Sequence, residues 1–468
     1  MEFMHIFKKI EIWVLYLVVI IFFFVMICYG GLVRNQILAP APRYPILSGV
    51  SLFLAEIPYN LKQWWRSSLD FVAAEQRFQN VSWFQGKPLE EEVYLLLSRY
   101  DGNIERSVVE LIDLRSLEVQ KTWLPDISQI NGLVDTSRPE FRNLEKSTNT
   151  KRNRIFHPFL TKDGGLIYHT HNYSPLVKID KNSELIWQNQ EDRFHHSIEQ
   201  DHEGNIWVPS YIYPYHMNKK YVGSDFGNYA DDAITKVSAD GEILFQKSVS
   251  ELFIENKMKH LLFMVKGPGA RDHHIDDAFK IDPIHLNDIQ PVLTDGTYWK
   301  RGDVFLSLRH QSMVILYRPS TNKIIWKGVG EHTAAQHDVD ILDDHRIVIF
   351  NNNVQVFFDG VQVDGKNEVV IYDFKNDSYS KYFDQFLEEY DVRTISEGRS
   401  QILDNGDLFI EEQNYGRLLF FNKDTSLQWQ YVNRADNGSI YLLNWSRVLY
   451  KPKDIKKIRE IIKTGDAG

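Results

Sequence analysis

Lys178-IDKNSELI-Trp187, Lys236-VSADGEIL-Phe245, Tyr317-RPSTNKII-Trp326 and Phe420-FNKDTSLQ-Trp429 share one pattern: two short apolar runs around a polar turn, closed by an aromatic residue. Leu111-IDLRSLEVQKT-Trp123 and Val370-IYDFKNDSYSKY-Phe383 are looser copies. Alternating β-branched and aromatic residues around Asp-Gly, Lys-Asn and similar turns are the signature of hairpins. Six such hairpins, spread over roughly 375 residues, predict a six-bladed β-propeller, with four strands per blade around a central channel. The closing aromatics are expected to pack between blades.

A second unit recurs with the first. His196-SIEQDHE-Gly204-NIWV and His337-DVDILDD-His345-RIVI align without gaps: a polar pair opens a strand and a turn follows eight residues later. Asn287-Asp288-Ile289 is a third copy, its turn displaced by TDGTYWKRGD before Val304. Gly398-RSQILDN-Gly406-DLFI and Phe156-HPFLTKD-Gly164-GLIY complete the set. In a propeller the first strand of each blade faces the channel, so the register predicts that His196, Asn287 and His337 converge. His285, two residues before Asn287, is expected on the same strand face. Arg309 ends the neighbouring strand, VFLSLR. Asp338 and Asp340 alternate away from His337, so exposed turn-side positions are expected for them in preference to a hydrogen bond that fixes its tautomer.

The remaining features set limits. The 468 residues carry a net charge of −10, with 53 Lys and Arg against 63 Asp and Glu, which offers no basic excess for nucleic acid. From Ile12 to Val33 no charge interrupts an apolar run long enough to cross a bilayer. Lys8 and Lys9 before it favour a cytoplasmic N-terminus and an exported remainder. No small-x-small site follows, so a retained anchor is expected, not a cleaved signal. Cys28, the only cysteine, falls inside that run and reads as a lipid-facing residue. Residues 1–34 are therefore assigned to a tip and anchor. Residues 35–90 are assigned to a Pro-rich extended linker and an amphipathic helical stretch broken near Pro58, residues 91–450 to the propeller, and residues 451–468 to a basic helix. In that last helix Ile455, Ile458 and Ile462 share a face, with Ile461 at its edge. Trp64 and Trp65 suit either a headgroup layer or packing on the main domain.

The chain resembles the arylsulfotransferase family of exported bacterial enzymes. The residues that carry the resemblance are Pro283-I-His285-L-Asn287-DI, Ser307-L-Arg309, Gln336-His337-Asp338-V and Ser396-EGRSQILDNGDLFI, together with outer hairpins ending IIW or LIW. It runs over roughly 150–450 and is densest from 283 to 353. It implies a six-bladed propeller that moves a sulfuryl group from an aryl sulfate donor to a phenolic acceptor in the periplasm, without a nucleotide donor. By position it implies that His337 is the nucleophile, transiently a sulfohistidine, and that His285, Asn287 and Arg309 hold the sulfuryl group. His196, or its neighbour His195, would be the remaining channel histidine, and Arg399 is a further substrate contact. The residue types suit the chemistry. A neutral imidazole attacks sulfur, cationic and amide donors meet the charge spread over the sulfuryl oxygens, and a second histidine exchanges a proton with the phenol. Related bacterial enzymes are commonly soluble after export and hold a disulfide, whereas here the anchor is expected to be retained and no cysteine follows it.

Two other classes answer to the same repeats. One is a propeller that binds glycans, sulfated ligands or a membrane partner without chemistry. The other is a quinone-dependent dehydrogenase, whose paired cysteines and Ca²⁺ ligands are missing. His169-Thr170-His171 and the stretch Asp272 to Asp277 offer metal-ligand types, yet the latter lies in a long insertion where solvated polarity is the simpler account. Neither a metal nor a cofactor is expected, and the oligomeric state is open.

Overall fold

The computed structural model describes residues 11–38, 43–65, 71–73, 75–141, 144, 150–170, 174–214, 216, 229–262, 282–357, 360–424 and 426–465. They fall into two compact units, one with the two N-terminal helices and one with the β-structure.

In the first unit a helix spans Ile12–Leu38, and the part of it from Ile12 to Gln36 is long and apolar enough to cross a membrane, with its apolar side chains exposed. A second helix, Pro45–Trp65, runs through Pro58. The expected extended linker over 35–46 is thus reduced, because the first helix continues to Leu38 and the second begins at Pro45. Proline is tolerated in a first turn, whose N–H groups have no helical partner. Asn35 Nδ2 donates to Ser48 Oγ at 3.3 Å and ties the two helices together. The side chains of Trp64 and Trp65, and Lys8 and Lys9 entirely, lie outside the described residues.

The second unit is a six-bladed propeller of antiparallel sheets. From the channel outward, the first blade is Arg447–Leu449, Tyr94–Asp101, Arg106–Asp113 and Glu118–Trp123. The second is Ile155–Leu160, Leu166–Thr170, Leu176–Ile179 and Leu185–Asn189, and the third is Glu199–Gln200, Ile206–Tyr211, Asp232–Val237 and Ile243–Ser248. The fourth is Leu286–Pro291, Val304–Leu308, Met313–Arg318 and Lys323–Val329. The fifth is His337–Ile341, Arg346–Asn351, Glu368–Asp373 and Ser378–Tyr382, and the sixth is Arg399–Ile402, Leu408–Glu412, Arg417–Phe421 and Leu427–Val432.

Each of the six repeated hairpins forms the two outer strands of one blade. Their closing tryptophans do more than fill space. The indole N–H of Trp123 donates to Gly164 O at 3.1 Å, that of Trp187 to Ala239 O at 3.2 Å, and that of Trp326 to Tyr372 Oη at 3.2 Å, each on the following blade. These bonds tie each of those three blades to the next, whereas the buried indole N–H of Trp429 has no partner among the described residues.

The polar pairs that open the inner strands serve two purposes. In the third and fifth blades the first residue of the pair, His196 or His337, belongs to the channel cluster; in the third, fourth and fifth blades the second residue is a latch. Ser197 Oγ accepts the N–H of Ile289 at 3.0 Å, Asp288 Oδ2 that of Val339 at 2.8 Å, and Asp338 Oδ2 that of Ser400 at 3.1 Å. One equivalent position thus stitches the third blade to the fourth, the fourth to the fifth, and the fifth to the sixth. Asp338 is therefore buried, not exposed at a turn. The Gly-turn positions Gly204 and Gly406 have φ of 89° and 90°, which a side chain resists. In the fifth blade His345 takes that place without a left-handed φ, because Asp343 Oδ1 accepts the N–H groups of both His345 and Arg346.

The β-structure starts before residue 91. Trp83–Gly86 pairs with Leu427–Val432 as a fifth strand on the sixth blade, and Trp83 and Phe84 pack edge-on against Tyr431 and Trp429. A four-residue strand is too short to display an alternating pattern. The C-terminal helix, Pro452–Gly465, buries Ile458 and Ile461 against Trp123, Leu160, Leu166 and Ile179. Ile461, expected at the edge of the apolar face, is at its centre, with Gly164 beneath it.

Candidate functional site

His196, His285 and His337 meet in the channel: one ring nitrogen from each lies within 4.8 Å of the other two. Ring centroids are 5.0 Å apart for His196 and His285 and 6.3 Å apart for His196 and His337.

His337 is almost fully buried and held at both nitrogens. Its Nε2 accepts the backbone N–H of Glu397 at 3.1 Å, so Nε2 carries the lone pair. The proton therefore sits on Nδ1 and is donated to Asn352 Oδ1 at 2.8 Å. Asn352 cannot turn its amide round, since its Nδ2 donates to the carbonyls of Thr394 and Glu397 at 3.0 and 2.8 Å. Burial, and then the nearby Arg309 guanidinium, hold His337 well below the ordinary imidazole range, so it is neutral.

His285 stands at a positive φ of 53° just before its strand. Its Nδ1 lies 2.6 Å from Asp282 Oδ2. Behind it, burial and the adjacent Asp282 keep Asp232 protonated, and Asp232 hydrogen-bonds Asp282. Burial raises Asp282 too, but His285 and His310 outweigh that and hold it below the usual carboxylate range, as an anion. His310 donates from Nδ1 to Asp282 O at 2.6 Å, and its ring is 4.5 Å from that of His285.

Arg309 has a mostly buried guanidinium that donates from Nη1 to His310 Nε2 at 3.2 Å; its Nε has no partner. Among the described residues no carboxylate lies within ion-pair distance of it. Arg154, also buried, likewise has no ion pair among them, and its Nε and Nη1 are unpartnered. The other deeply buried arginines are all paired: Arg99 with Asp101 and Glu110, Arg399 with Asp338 and Asp340, Arg417 with Glu412. A buried guanidinium without a carboxylate is suited to an anion; that of Arg154 also lies over the rings of Phe71 and Phe156. Glu397 faces both Arg154 and Arg309. Burial raises its carboxyl above the ordinary range, while those two cations and His285 pull the other way.

Asn287, at the repeat position of His196 and His337, is fully buried and gives its Nδ2 to Gln336 O at 2.8 Å. A bulge at Asn287 displaces it, so the expected common face of His285 and Asn287 does not form, and His285 supplies the fourth blade's channel group. Gln336 in turn donates to Ser307 Oγ at 3.1 Å and Met313 O at 2.9 Å, which joins two of the quoted motifs across the blades.

The structure separates His195 from His196. His195 is buried, stacked on Tyr211 with centroids 4.1 Å apart, and its Nδ1 is 2.7 Å from Nδ1 of His196. His196 is the one that reaches the channel cluster. Arg399, expected as a substrate contact, is neutralised by Asp338 and Asp340 and lies over Trp445. Those two carboxylates serve Arg399 and the latch, not His337. His169 Nε2 donates to the carbonyl of His196 at 2.8 Å, and burial lowers the pKa of its ring to about 4. His171 and Asp272 to Asp277 lie outside the described residues. A surface cleft lined by Phe159, Lys162, Lys178 and Gln200 contains none of the channel histidines.

Sequence reasoning missed Asp282, Asn352, Glu397 and His310. Only Glu397 had a signal, as part of the Ser396-Glu397-Gly398 string; Asp282 comes from the connection before the fourth blade, and His310 and Asn352 from turns inside the fourth and fifth blades that the repeat pattern does not mark.

A family model described as Arylsulfotransferase (ASST) matches residues 157–434, more than half of the chain. No curated protein sequence matches it significantly. Among solved structures, a protein of unknown function from Bacteroides caccae is 11% identical, with 77% of this chain and 100% of that chain covered at a TM-score of 0.45. A streptogramin B lyase is 10% identical, with 78% and 97% covered at 0.36. A catalytically inactive virginiamycin B lyase from Staphylococcus aureus, with quinupristin, is 9% identical, with 74% and 88% covered at 0.35. Likeness at this level carries no argument about chemistry.

Proposed function

The chain belongs to the arylsulfotransferase (ASST) family, and on that premise we propose that it moves a sulfuryl group from an aryl sulfate to a phenol through a sulfohistidine at His337. The observation that carries this reading is the state of His337: a neutral imidazole, its proton fixed on Nδ1 by Asn352 and its Nε2 lone pair turned toward Glu397 N–H, beside an unpaired guanidinium.

In the first step the Nε2 lone pair forms the N–S bond while the S–O bond to the aryl oxygen breaks and the electron pair leaves with that oxygen. The imidazole becomes cationic, and its Nδ1–H keeps the Asn352 acceptor. Arg309 neutralises the sulfuryl oxygens, and the Glu397 N–H, released from Nε2, is beside the new N–S bond to donate to one of them. His285, oriented by Asp282, gives a proton to the departing aryl oxygen. In the second step the acceptor phenol passes its proton to His285, its oxygen bonds to sulfur, and the N–S electrons return to Nε2. Asn287 acts behind the site by holding the Gln336 carbonyl next to His337.

The Ile12–Leu38 helix belongs to the same reading as a retained anchor, with the propeller outside the cytoplasm. Its length supports this, since a cleavable signal core runs only about 7–15 residues. Protease added to spheroplasts should then digest the propeller, whereas protection of it would reject that sidedness.

The central test uses 4-nitrophenyl sulfate carrying radioactive sulfur. Acid-labile label should appear on His337 and be absent from His337→Ala; nitrophenol release by both proteins at one rate would end the sulfohistidine proposal.

A further inference from the structure

We propose that His196, His285 and His337 also form a binding site for a divalent transition metal of the zinc or copper class, and that metal and sulfuryl group exclude one another there. The inference shares His337 with the function proposed above and goes beyond it.

Three observations carry it. Each imidazole is steadied from behind through Nδ1: His196 by His195 at 2.7 Å, His285 by the Asp282 carboxylate at 2.6 Å, and His337 by the Asn352 carbonyl oxygen at 2.8 Å. An outer partner on the far nitrogen is the usual companion of a metal-binding histidine, because it fixes both ring orientation and tautomer. Second, the three ligand nitrogens already lie within 4.8 Å of one another. To reach a tetrahedral sphere of about 2.1 Å, each moves inward by no more than ~1 Å. Third, the donors are three imidazoles with no carboxylate among them, a set that suits Zn²⁺, Cu²⁺ or Ni²⁺ and is poor for Mg²⁺ or Ca²⁺.

Exclusion follows from one lone pair. His337 Nε2 has a single in-plane pair, which accepts the Glu397 N–H at 3.1 Å. Sulfur or a metal must displace that N–H, and neither can share the nitrogen with the other. Arg309 stands against a bare dication, so the metal would bring an anion, such as hydroxide, as its fourth ligand.

The experiment titrates the full-length protein in detergent with Co²⁺, whose visible bands report tetrahedral nitrogen coordination without reference to turnover. One equivalent should develop those bands, and Zn²⁺ should erase them. His196→Ala and His285→Gln should each bind at least about tenfold more weakly, and Asp282→Asn about 10–100-fold more weakly. His202→Ala, on an exposed turn, should bind like the parent. Circular dichroism checks that each variant is folded. Protein first loaded with 4-nitrophenyl sulfate should fail to develop the bands, and Zn²⁺ added first should abolish the nitrophenol burst. Equal Co²⁺ binding by parent, His196→Ala and His285→Gln would overturn the proposal, as would normal bands in fully sulfated protein. Label on His337 without Co²⁺ binding would reject the metal site alone, and Co²⁺ binding without label in chelator-treated protein would reject only the transfer mechanism.

Discussion

Replacing Asn352 tests the arrangement that makes His337 a nucleophile. Its side chain makes three hydrogen bonds, to His337 Nδ1 and to the carbonyls of Thr394 and Glu397. Thr394 O keeps a second donor, Asn367 Nδ2, at 3.1 Å. Asn352→Ala therefore orphans two groups, His337 Nδ1–H and Glu397 O, at about 1–3 kcal/mol each, so unfolding free energy should fall by ~2–6 kcal/mol. Chemistry should suffer separately. Without an acceptor at Nδ1 only the Glu397 N–H still opposes movement of the ring proton to Nε2, the attacking atom. Loss of tautomer control in a serine-protease triad lowers kcat about 10⁴-fold, and a neutral amide orienter should be worth less, roughly 10²–10³-fold. Asn352→Asp separates the two effects. It restores an acceptor for Nδ1–H but sets a carboxylate against the Thr394 and Glu397 carbonyls, so the burst should partly recover while stability does not. The new carboxylate also raises the basicity of His337, so the acid limb of the burst moves to higher pH. The assay is the stopped-flow burst of nitrophenolate without acceptor, beside urea denaturation. A folded Asn352→Ala whose burst stays within about threefold of the parent would refute the tautomer argument.

Arg309→Ala should lose about 10²–10³-fold in kcat/KM for an aryl sulfate, while its thermal midpoint holds or rises, because no ion pair among the described residues is lost with it. Asp338→Ala should cost about 3 kcal/mol in urea denaturation, since it strips Ser400 N–H of its acceptor and leaves Arg399 with Asp340 alone; Ser197→Ala, a neutral latch, should cost about 1 kcal/mol. Burial pushes the Asp192 carboxyl up to about 6, against the hydrogen bonds of Ser210 and Gln246. Its raised folded value means that the native state binds the extra proton. The resulting stability is fully present below the ordinary Asp range and is lost as pH rises through about 6, by roughly 3 kcal/mol. Asp192→Asn should flatten the denaturation midpoint across that interval, and an unchanged slope would reject the assignment.

The blades were legible in sequence because each hairpin is local: its period, its turn and its closing aromatic lie within about a dozen residues. The convergence of His196 and His337 was legible because equivalent positions in a closed repeat share an axis. Strand alternation failed at His285, whose left-handed φ places it outside the strand, and at Asn287, where a bulge adds a residue. Asn352 escaped because it lies in the connection between the second and third strands of the fifth blade, and Glu397 because it lies in the connection from the fifth blade to the sixth, where no period marks them. The distinction between paired Arg399 and unpaired Arg309 depends on which carboxylates the fold brings within reach, and composition holds no trace of that.

The innermost strand of the first blade, Arg447–Leu449, comes from the far end of the chain and pairs Val448 with Leu95. Synthesis delivers those residues after every other strand of the propeller. Until then the first blade lacks its channel strand and the ring has an open seam, so five blades wait on three residues. The histidines come from blades three to five, yet the latch of Gln401 to Val448 that completes the circle, at 3.1 Å, forms only once Val448 has been made. Closure of the channel thus waits on the last strand of the ring, and a chain truncated just before Arg447 is left with an unsealed ring and an uncovered sheet edge, the surface most prone to join another chain.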